Sequence, residues 1–287
     1  MSRTALLTIA YTPDSHSAFN YFAMETGETR LPGFLPEFHR RAISDLNRAA
    51  LNGVYDVTAI SAVQYPAVAH RYAILGVGTC VGRGYGPVLA GKHVVAMAEL
   101  RGRKVGVGGL STTGCFLLRT FCPEAIPVEM PVNGIGPAVA AGDLDAGVMI
   151  HEEMLAYPRL GLQRIADLGA EWHRRCGLPL PVGLNLIRRT VQRETMTSVA
   201  AAVRRSLEYG LRHQDEAFAW LVKCGHASPC TKEFVAMFAN TDAMQLQDDV
   251  RLGLTALVRQ AAERSGAEIP PLDIVDGPAP AATSAMP

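Results

Sequence analysis

The sequence is short of charge, short of tryptophan, and has no excess of either sign. Of 287 residues 19% are charged, 27 Lys+Arg are matched by 27 Asp+Glu, and Trp occurs twice. Recognition of a nucleic-acid backbone or an anionic bilayer needs clustered Lys and Arg, so a formal charge of zero argues against both partners. No segment approaches the ~20 consecutive apolar residues of a membrane span. The apolar run 5–10 after Arg3 is too short for one and lacks a small-residue cleavage pattern, so it reads as a first buried strand. The six cysteines, Cys80, Cys115, Cys122, Cys176, Cys224 and Cys230, form no CxxC pair and no dense framework, which points to reduced thiols in a cytoplasmic protein.

What is present is an apolar fraction of 48% in a chain long enough for two domains of roughly 100 to 200 residues each. Strand-like 5–10, a helix near 38–51, a strand near 56–60 and helical 65–72 give a βαβ rhythm, hence an α/β fold with mainly parallel strands. In 38–51, Ile43, Leu46 and Ala50 share one face, while Arg40, Arg41, Asp45 and Arg48 point away and Asn52-Gly53 supplies the stop. After Gly76, Gly78, Gly82, Gly84 and Gly86 the rhythm restarts. It runs through a strand at 104–108, a helix at 112–120, a strand near 128–130, a short helix at 134–141 closed by Gly142, and a strand at 146–150. An apolar returning strand at 182–187 follows, then helical periodicity from 192 to about 265. The Ala- and Pro-rich tail 277–287 reads as disordered. The expected organisation is a discontinuous first lobe, 1–90 and 184–287, with a second lobe, 91–183, inserted by two crossover strands. A cleft between such lobes binds small molecules and closes by hinge motion.

Gly106-Val107-Gly108-Gly109-Leu110-Ser111-Thr112-Thr113-Gly114 follows a strand and opens a helix, where backbone N–H groups can hold a carboxylate or phosphate. Plain strand-turn-helix punctuation is the bland alternative. A dinucleotide fingerprint is a poor match because Ser111 stands where the third glycine belongs, although Glu129 lies near the position of a ribose-binding acid. His151 directly follows the strand 146–150. Ligands gather at the carboxyl ends of strands in open α/β sheets, and an imidazole there titrates in the range a general base needs. A turn histidine is the alternative. Thr58 and Ser61 close the strand near 56–60 and either face the same cleft or cap the next helix. His16, between Ser15 and Ser17, ends the first strand in the same way. Cys224-x-His226-xxx-Cys230 lacks a fourth ligand and a standard zinc spacing, so no metal site is assigned, and no cofactor is implied.

A set of ordered motifs resembles one family. They are Leu46-Asn47-Arg48, Asp56-Val57-Thr58-Ala59-Ile60-Ser61, Gly82-Arg83-Gly84-Tyr85-Gly86-Pro87, Ala146-Gly147-Val148-Met149-Ile150-His151-Glu152, Tyr157-Pro158-Arg159, Asp167-Leu168-Gly169 and Gly177-Leu178-Pro179-Leu180-Pro181-Val182-Gly183. In register over most of the chain, these are similar to the 1,4-dihydroxy-6-naphthoate synthase family of the futalosine route to menaquinone. The resemblance implies a two-lobed type II periplasmic-binding-protein fold, here cytoplasmic, acting as a carbon–carbon lyase on cyclic de-hypoxanthine futalosine, a small anionic organic substrate. It makes His151 the acid/base residue and matches Thr112, Thr113 and Gly114 to the substrate-holding turn. Thr58, Ser61 and Tyr157 are the further candidates around the ligand. One stretch departs. Where the family reads Ser-Pro-Cys-Pro-Asn-Asp-Thr-Phe, this chain reads Thr12-Pro13-Asp14-Ser15-His16-Ser17-Ala18-Phe19, keeping Pro13 and Phe19 but placing His16, Ser17 and Ala18 where Asn, Asp and Thr are expected. A polar site that changes its hydrogen-bonding groups discriminates strongly between ligands. A sibling enzyme acting on another cyclic carboxylate, and a carboxylate-binding protein without turnover, are therefore the alternatives.

Overall fold

The computed structural model describes residues 5–277; apart from Gly277, the expected disordered tail lies outside them. The strands are β1 (Ala5–Tyr11), β2 (Phe34–Arg40), β3 (Val57–Ser61), β4 (Tyr72–Gly82), β5 (Val88–Gly91), β6 (Lys104–Val107), β7 (Ile126–Glu129), β8 (Ala146–Met149), β9 (Gln163–Asp167), β10 (Leu180–Arg188) and β11 (Ile274–Val275). They form two sheets, ordered β11-β4-β10-β3-β1-β2 and β7-β6-β8-β5-β9. The chain leaves the first sheet after Gly82, enters the second at Val88, and is back in the first at Leu180. These passages fall a few residues ahead of the boundaries read from sequence, and we take them as the limits of the two lobes.

Four local expectations change. Residues 38–40 belong to β2, and the helix begins only at Ile43; Pro36 is tolerated because β2 is an edge strand paired with β1 alone. The helical stretch 65–72 ends at Val68, and the glycine-spaced segment behind it is β4, an eleven-residue strand paired to β10 and β11. The sheets are mixed rather than mainly parallel. The returning β10 runs antiparallel to both β3 and β4, and β5 runs antiparallel to β8 and β9. His16 does not end the first strand: β1 stops at Tyr11 and His16 lies in a helix at Ser15–Glu25, which has no clear amphipathic period because nine of its eleven residues are buried.

One cluster of buried side chains runs through both lobes, from Ile60 and Leu184 in the first sheet through Trp172 to Val105 and Val148 in the second. Trp172 is fully buried and its indole N–H donates to the Pro179 carbonyl at 3.2 Å, fixing the second passage. The first passage is held by Arg83. Its guanidinium donates to both oxygens of Asp242 at 2.7 and 2.8 Å and to Asp249 at 2.6 Å.

Candidate active site

The carboxyl ends of β1, β3, β6 and β8 converge on one cleft, as expected where ligands bind in open sheets. The space between its walls, counted out to open solvent, is about 740 Å³. The first lobe contributes Thr12, Asp14, His16, Ser17, Ser61 and the β4 and β10 residues Gly78, Cys80 and Asn185. The second contributes Pro87, Thr112, Thr113, Gly114, Ile150, His151 and Met154, and Phe234 and Phe238 come from the helix Thr231–Phe238. Apolar walls with a few convergent polar groups suit a small, largely cyclic organic ligand.

His151 follows β8 by two residues and lines the cleft. Its φ of 53° makes it the one non-glycine residue with positive φ among the described residues. A backbone held in this sparsely populated region is a mark of functional sites, since the surrounding structure must enforce it. Its neighbour Glu152 reaches across the cleft and accepts the Ser15 backbone N–H at 2.7 Å. Burial, reinforced by Asp14, raises the Glu152 carboxyl above the ordinary range.

The facing wall is built by the start of the helix Ser15–Glu25. Asp14 is its N-cap, accepting from the Ser17 N–H at 2.9 Å and from the Thr12 hydroxyl. Burial pushes the Asp14 carboxyl up, but the charges of His151 and His16 and its two hydrogen bonds more than offset this, so it lies below the usual range. His16 is 3% exposed and packs against the Phe238 ring, with centres 5.8 Å apart; burial pushes its imidazole down, against the pull of Asp14. Cys80 is half-buried near Asp14, and desolvation together with that carboxylate drives its thiol well up, leaving it protonated and a poor nucleophile.

At the helix start Thr113–Phe121 the hydroxyls expected to face ligand are already committed. Thr112 caps the helix by accepting from the Cys115 N–H at 3.2 Å while donating to the Gly109 carbonyl at 2.7 Å, and Thr113 donates to the Val182 carbonyl at 2.7 Å. The backbone N–H groups of Thr113 and Gly114 have no acceptor among the described residues. Ser61 accepts from Asn47 at 3.2 Å, and the same Asn47 amide reaches Ser111 of the other lobe at 3.3 Å.

Three sequence candidates stand outside the cleft. Thr58 is sealed between β1 and β10 with its hydroxyl turned to the Ala59 carbonyl, Pro13 is exposed with its carbonyl 3.3 Å from His226 Nδ1, and Tyr157 packs with Met154 and Leu162 in the second lobe. Asp14, Cys80, Asn185 and Phe238 line the cleft although no sequence signal selected them; an Asp three residues before Ser17, ahead of an apolar helix, is the N-cap signature that marks Asp14.

A two-lobed scaffold with a titratable cluster in its cleft defines a small-molecule protein of the periplasmic-binding-protein type. The periplasmic aliphatic sulphonate binding protein of Escherichia coli shares this fold at a TM-score of 0.67, with 14% identity over 93% of this chain and 90% of that one. The chain belongs to the 1,4-dihydroxy-6-naphthoate synthase family: the family described as menaquinone biosynthesis matches residues 7–263. The 1,4-dihydroxy-6-naphtoate synthase of Thermus thermophilus is 35% identical over 258 residues, covering 90% of this chain and 93% of its own, and that of Streptomyces coelicolor is 31% identical over 267 residues, covering 89% and 93%. A protein of solved structure from Archaeoglobus fulgidus superposes with a TM-score of 0.84 at 34% identity, over 91% of this chain and 98% of that one. The chain is thus an enzyme of menaquinone biosynthesis, and the alternative of a binding protein without turnover falls. Among the described residues no helix is long and apolar enough to cross a membrane.

Proposed function

We propose that this enzyme is a cofactor-independent carbon–carbon lyase of the cytoplasm that cleaves cyclic de-hypoxanthine futalosine and releases 1,4-dihydroxy-6-naphthoate. The observation that carries this reading is His151: it stands in a strained backbone conformation at the end of β8, in the cleft and facing the buried carboxylate of Asp14. Opening the sugar-derived ring and losing its three-carbon fragment both need a proton removed next to a carbonyl or hydroxyl, and aromatisation of the second ring draws the cleavage forward. One imidazole base serves both steps, and the Asp14 carboxylate stabilises the imidazolium formed after each proton removal. The substrate carboxylate is taken by the N–H groups of Thr113 and Gly114 at the helix start, with Thr112 fixing that turn. Ser61 and His16 border the ligand from the first lobe, and the apolar side chains of Ile150, Met154 and Phe234 cover its bicyclic part.

The test is incubation of the purified protein with cyclic de-hypoxanthine futalosine. The naphthoate product forms with wild type and not with a folded His151→Ala variant. Saturable binding without product sinks the assignment. Turnover of a different cyclic carboxylate instead moves it to the sibling reading, which the His16, Ser17 and Ala18 departures in the first turn favour.

A further inference from the structure

A second cavity lies at the seam between the lobes. It is lined by Val63 and Ala67 of the first lobe, by Leu110, Phe116 and Arg119 of the second, and by Arg264 near the end of the helix Asp248–Ser265. Counted out to open solvent it spans about 670 Å³. Thr112 lines both this cavity and the cleft, so the two meet at the turn that opens the helix Thr113–Phe121.

The charge in this cavity is one-sided. Arg119 follows Phe116 by three residues on the same helix, so the two share a face; it is exposed and has no ion pair among the described residues. The Arg264 guanidinium sits over the Phe116 ring, 4.3 Å from its centre, and donates to the Phe116 carbonyl at 3.0 Å and to the Thr120 hydroxyl at 2.8 Å. Two of its five N–H donors thus fix it in place, and three are left. Partial burial and the positive charges of Arg119 and Arg175 hold this guanidinium below its ordinary range, although arginine keeps its charge at neutral pH all the same. No carboxylate lines the cavity to offset these charges. Glu129 accepts the Leu110 N–H at 2.9 Å, but it is already paired with Arg48. A cavity lined by one sign of charge concentrates ions of the other.

We propose that this cavity is a second ligand site, distinct from the substrate cleft, which takes a carboxylate carried on an aromatic body. Arg119 and Arg264 hold the carboxylate, for which the planar guanidinium fork is the matching donor. The aromatic body lies on Val63, Ala67 and Leu110. A bare phosphate would meet the guanidiniums but leave that apolar wall in water, and a neutral ring would cover the wall but leave the charges unpaired. A ligand with both parts satisfies both. Nothing in this site depends on which reaction the cleft performs.

The probe is 2-naphthoate, titrated at pH 7 into the full chain carrying 13C-labelled methyl groups. The methyl signals of Val63 and Leu110 shift saturably, while those of Ile150 and Met154 report the cleft separately. Arg119→Glu weakens the affinity read at Val63 and Leu110 by about 10- to 100-fold, the worth of a hydrogen bond to a charged group, and Arg119→Gln weakens it in the same direction by less. Because Arg119 is exposed, both variants keep the wild-type circular dichroism. The neutral 2-naphthol, the same body without the carboxylate, binds more weakly than 2-naphthoate by a similar factor. Shifts confined to Ile150 and Met154 place the compound in the cleft alone and overturn the proposal, as does an affinity unchanged in Arg119→Glu. Inorganic phosphate that competes as tightly as 2-naphthoate makes this a site for small oxyanions and overturns it too. The readout is binding, so absence of turnover by wild type counts against the lyase assignment alone.

Discussion

Glu152 of the second lobe accepts the Ser15 N–H of the first at 2.7 Å, so the residue beside His151 is tied to the first turn of the opposing helix. That N–H has no carbonyl four residues back to bond, and the carboxylate also complements the positive end of the helix. Because Glu152 is adjacent to His151, this contact between the lobes also fixes the segment that carries His151. Glu152→Ala is expected to raise KM by about tenfold through loss of one charge-assisted hydrogen bond, whereas Glu152→Gln keeps an acceptor and stays within about threefold. Steady-state kinetics separate the two; equal effects would mean that charge, not contact, is what Glu152 supplies.

Asp14 makes stability depend on pH in a definite direction. Its folded-state ionisation lies below the ordinary value, so its contribution is fully present above about pH 4 and is lost as pH falls through the folded value. Asp14→Asn keeps a side chain that caps the helix as well as Asp does, but removes the charge. The variant should be less stable than wild type at pH 7, with the gap closing below pH 4. Relief of the Asp14–Glu152 repulsion offsets part of the loss at pH 7, because Glu152 carries a raised ionisation that this charge helps to cause. Urea midpoints at pH 7, 5 and 3 read the trend, and a gap that persists at pH 3 would assign the effect to packing.

Arg83 holds the first passage through two carboxylates, one of them, Asp242, with a side chain only 5% exposed. Arg83→Ala leaves Asp242 buried and unpaired, at a cost of roughly 1–3 kcal/mol once the partial exposure of Arg83 is allowed for. Chemical denaturation should show this loss in Arg83→Ala and only part of it in the double variant Arg83→Ala, Asp242→Asn, which removes the stranded charge.

The stretch 104–150 of the second lobe was legible in the sequence because its elements are short, alternating and closed by Gly142, whereas β5, β9 and the helix Leu168–Cys176 were not read. Nor was β4. Its glycines read as turn punctuation, but they serve close approach: a Cβ on Gly76 would lie 2.2 Å from an Asp276 oxygen, and one on Gly82 would lie 1.9 Å from the Tyr85 carbonyl. Such contacts depend on which segments meet, and Asp276 is two hundred residues away in sequence. The helix Ser15–Glu25 escaped for the opposite reason, since burial on nearly every side erases the period that reveals a helix, and with it went Asp14. Thr58 was chosen as a strand-end hydroxyl, and one step of the alternation between sheet faces separates it from Ala59, which does line the cleft. Position along the chain thus located His151 at the cleft, while the groups that surround it came from the packing of two lobes.

His151 carries a conformational cost that substitution can expose. With φ at 53°, Ala in its place keeps the strain and Gly removes it, so His151→Gly should be about 1 kcal/mol more stable than His151→Ala. Both should lose about 10²- to 10⁴-fold in kcat, the usual contribution of a positioned base. Thermal unfolding and kinetics on the pair keep the two effects apart: a stability order of Ala above Gly would place the strain elsewhere.

The helix start allows a change that deletes one donor and little else. Thr113 is the first helical residue, where proline is tolerated because that N–H has no intrahelical acceptor, and the preceding Thr112, at φ −84° and ψ 154°, already has the extended conformation that a following proline demands. Thr113→Pro therefore removes the N–H proposed to hold the substrate carboxylate while leaving the helix in place. It also removes the hydroxyl that donates to Val182, and Thr113→Val supplies the control for that loss. The expected result is a KM about tenfold higher for Thr113→Pro than for Thr113→Val at equal helix content by circular dichroism, since a hydrogen bond to a charged group is worth about 1.5–3 kcal/mol. Equal KM values for the two variants would move the carboxylate away from this turn.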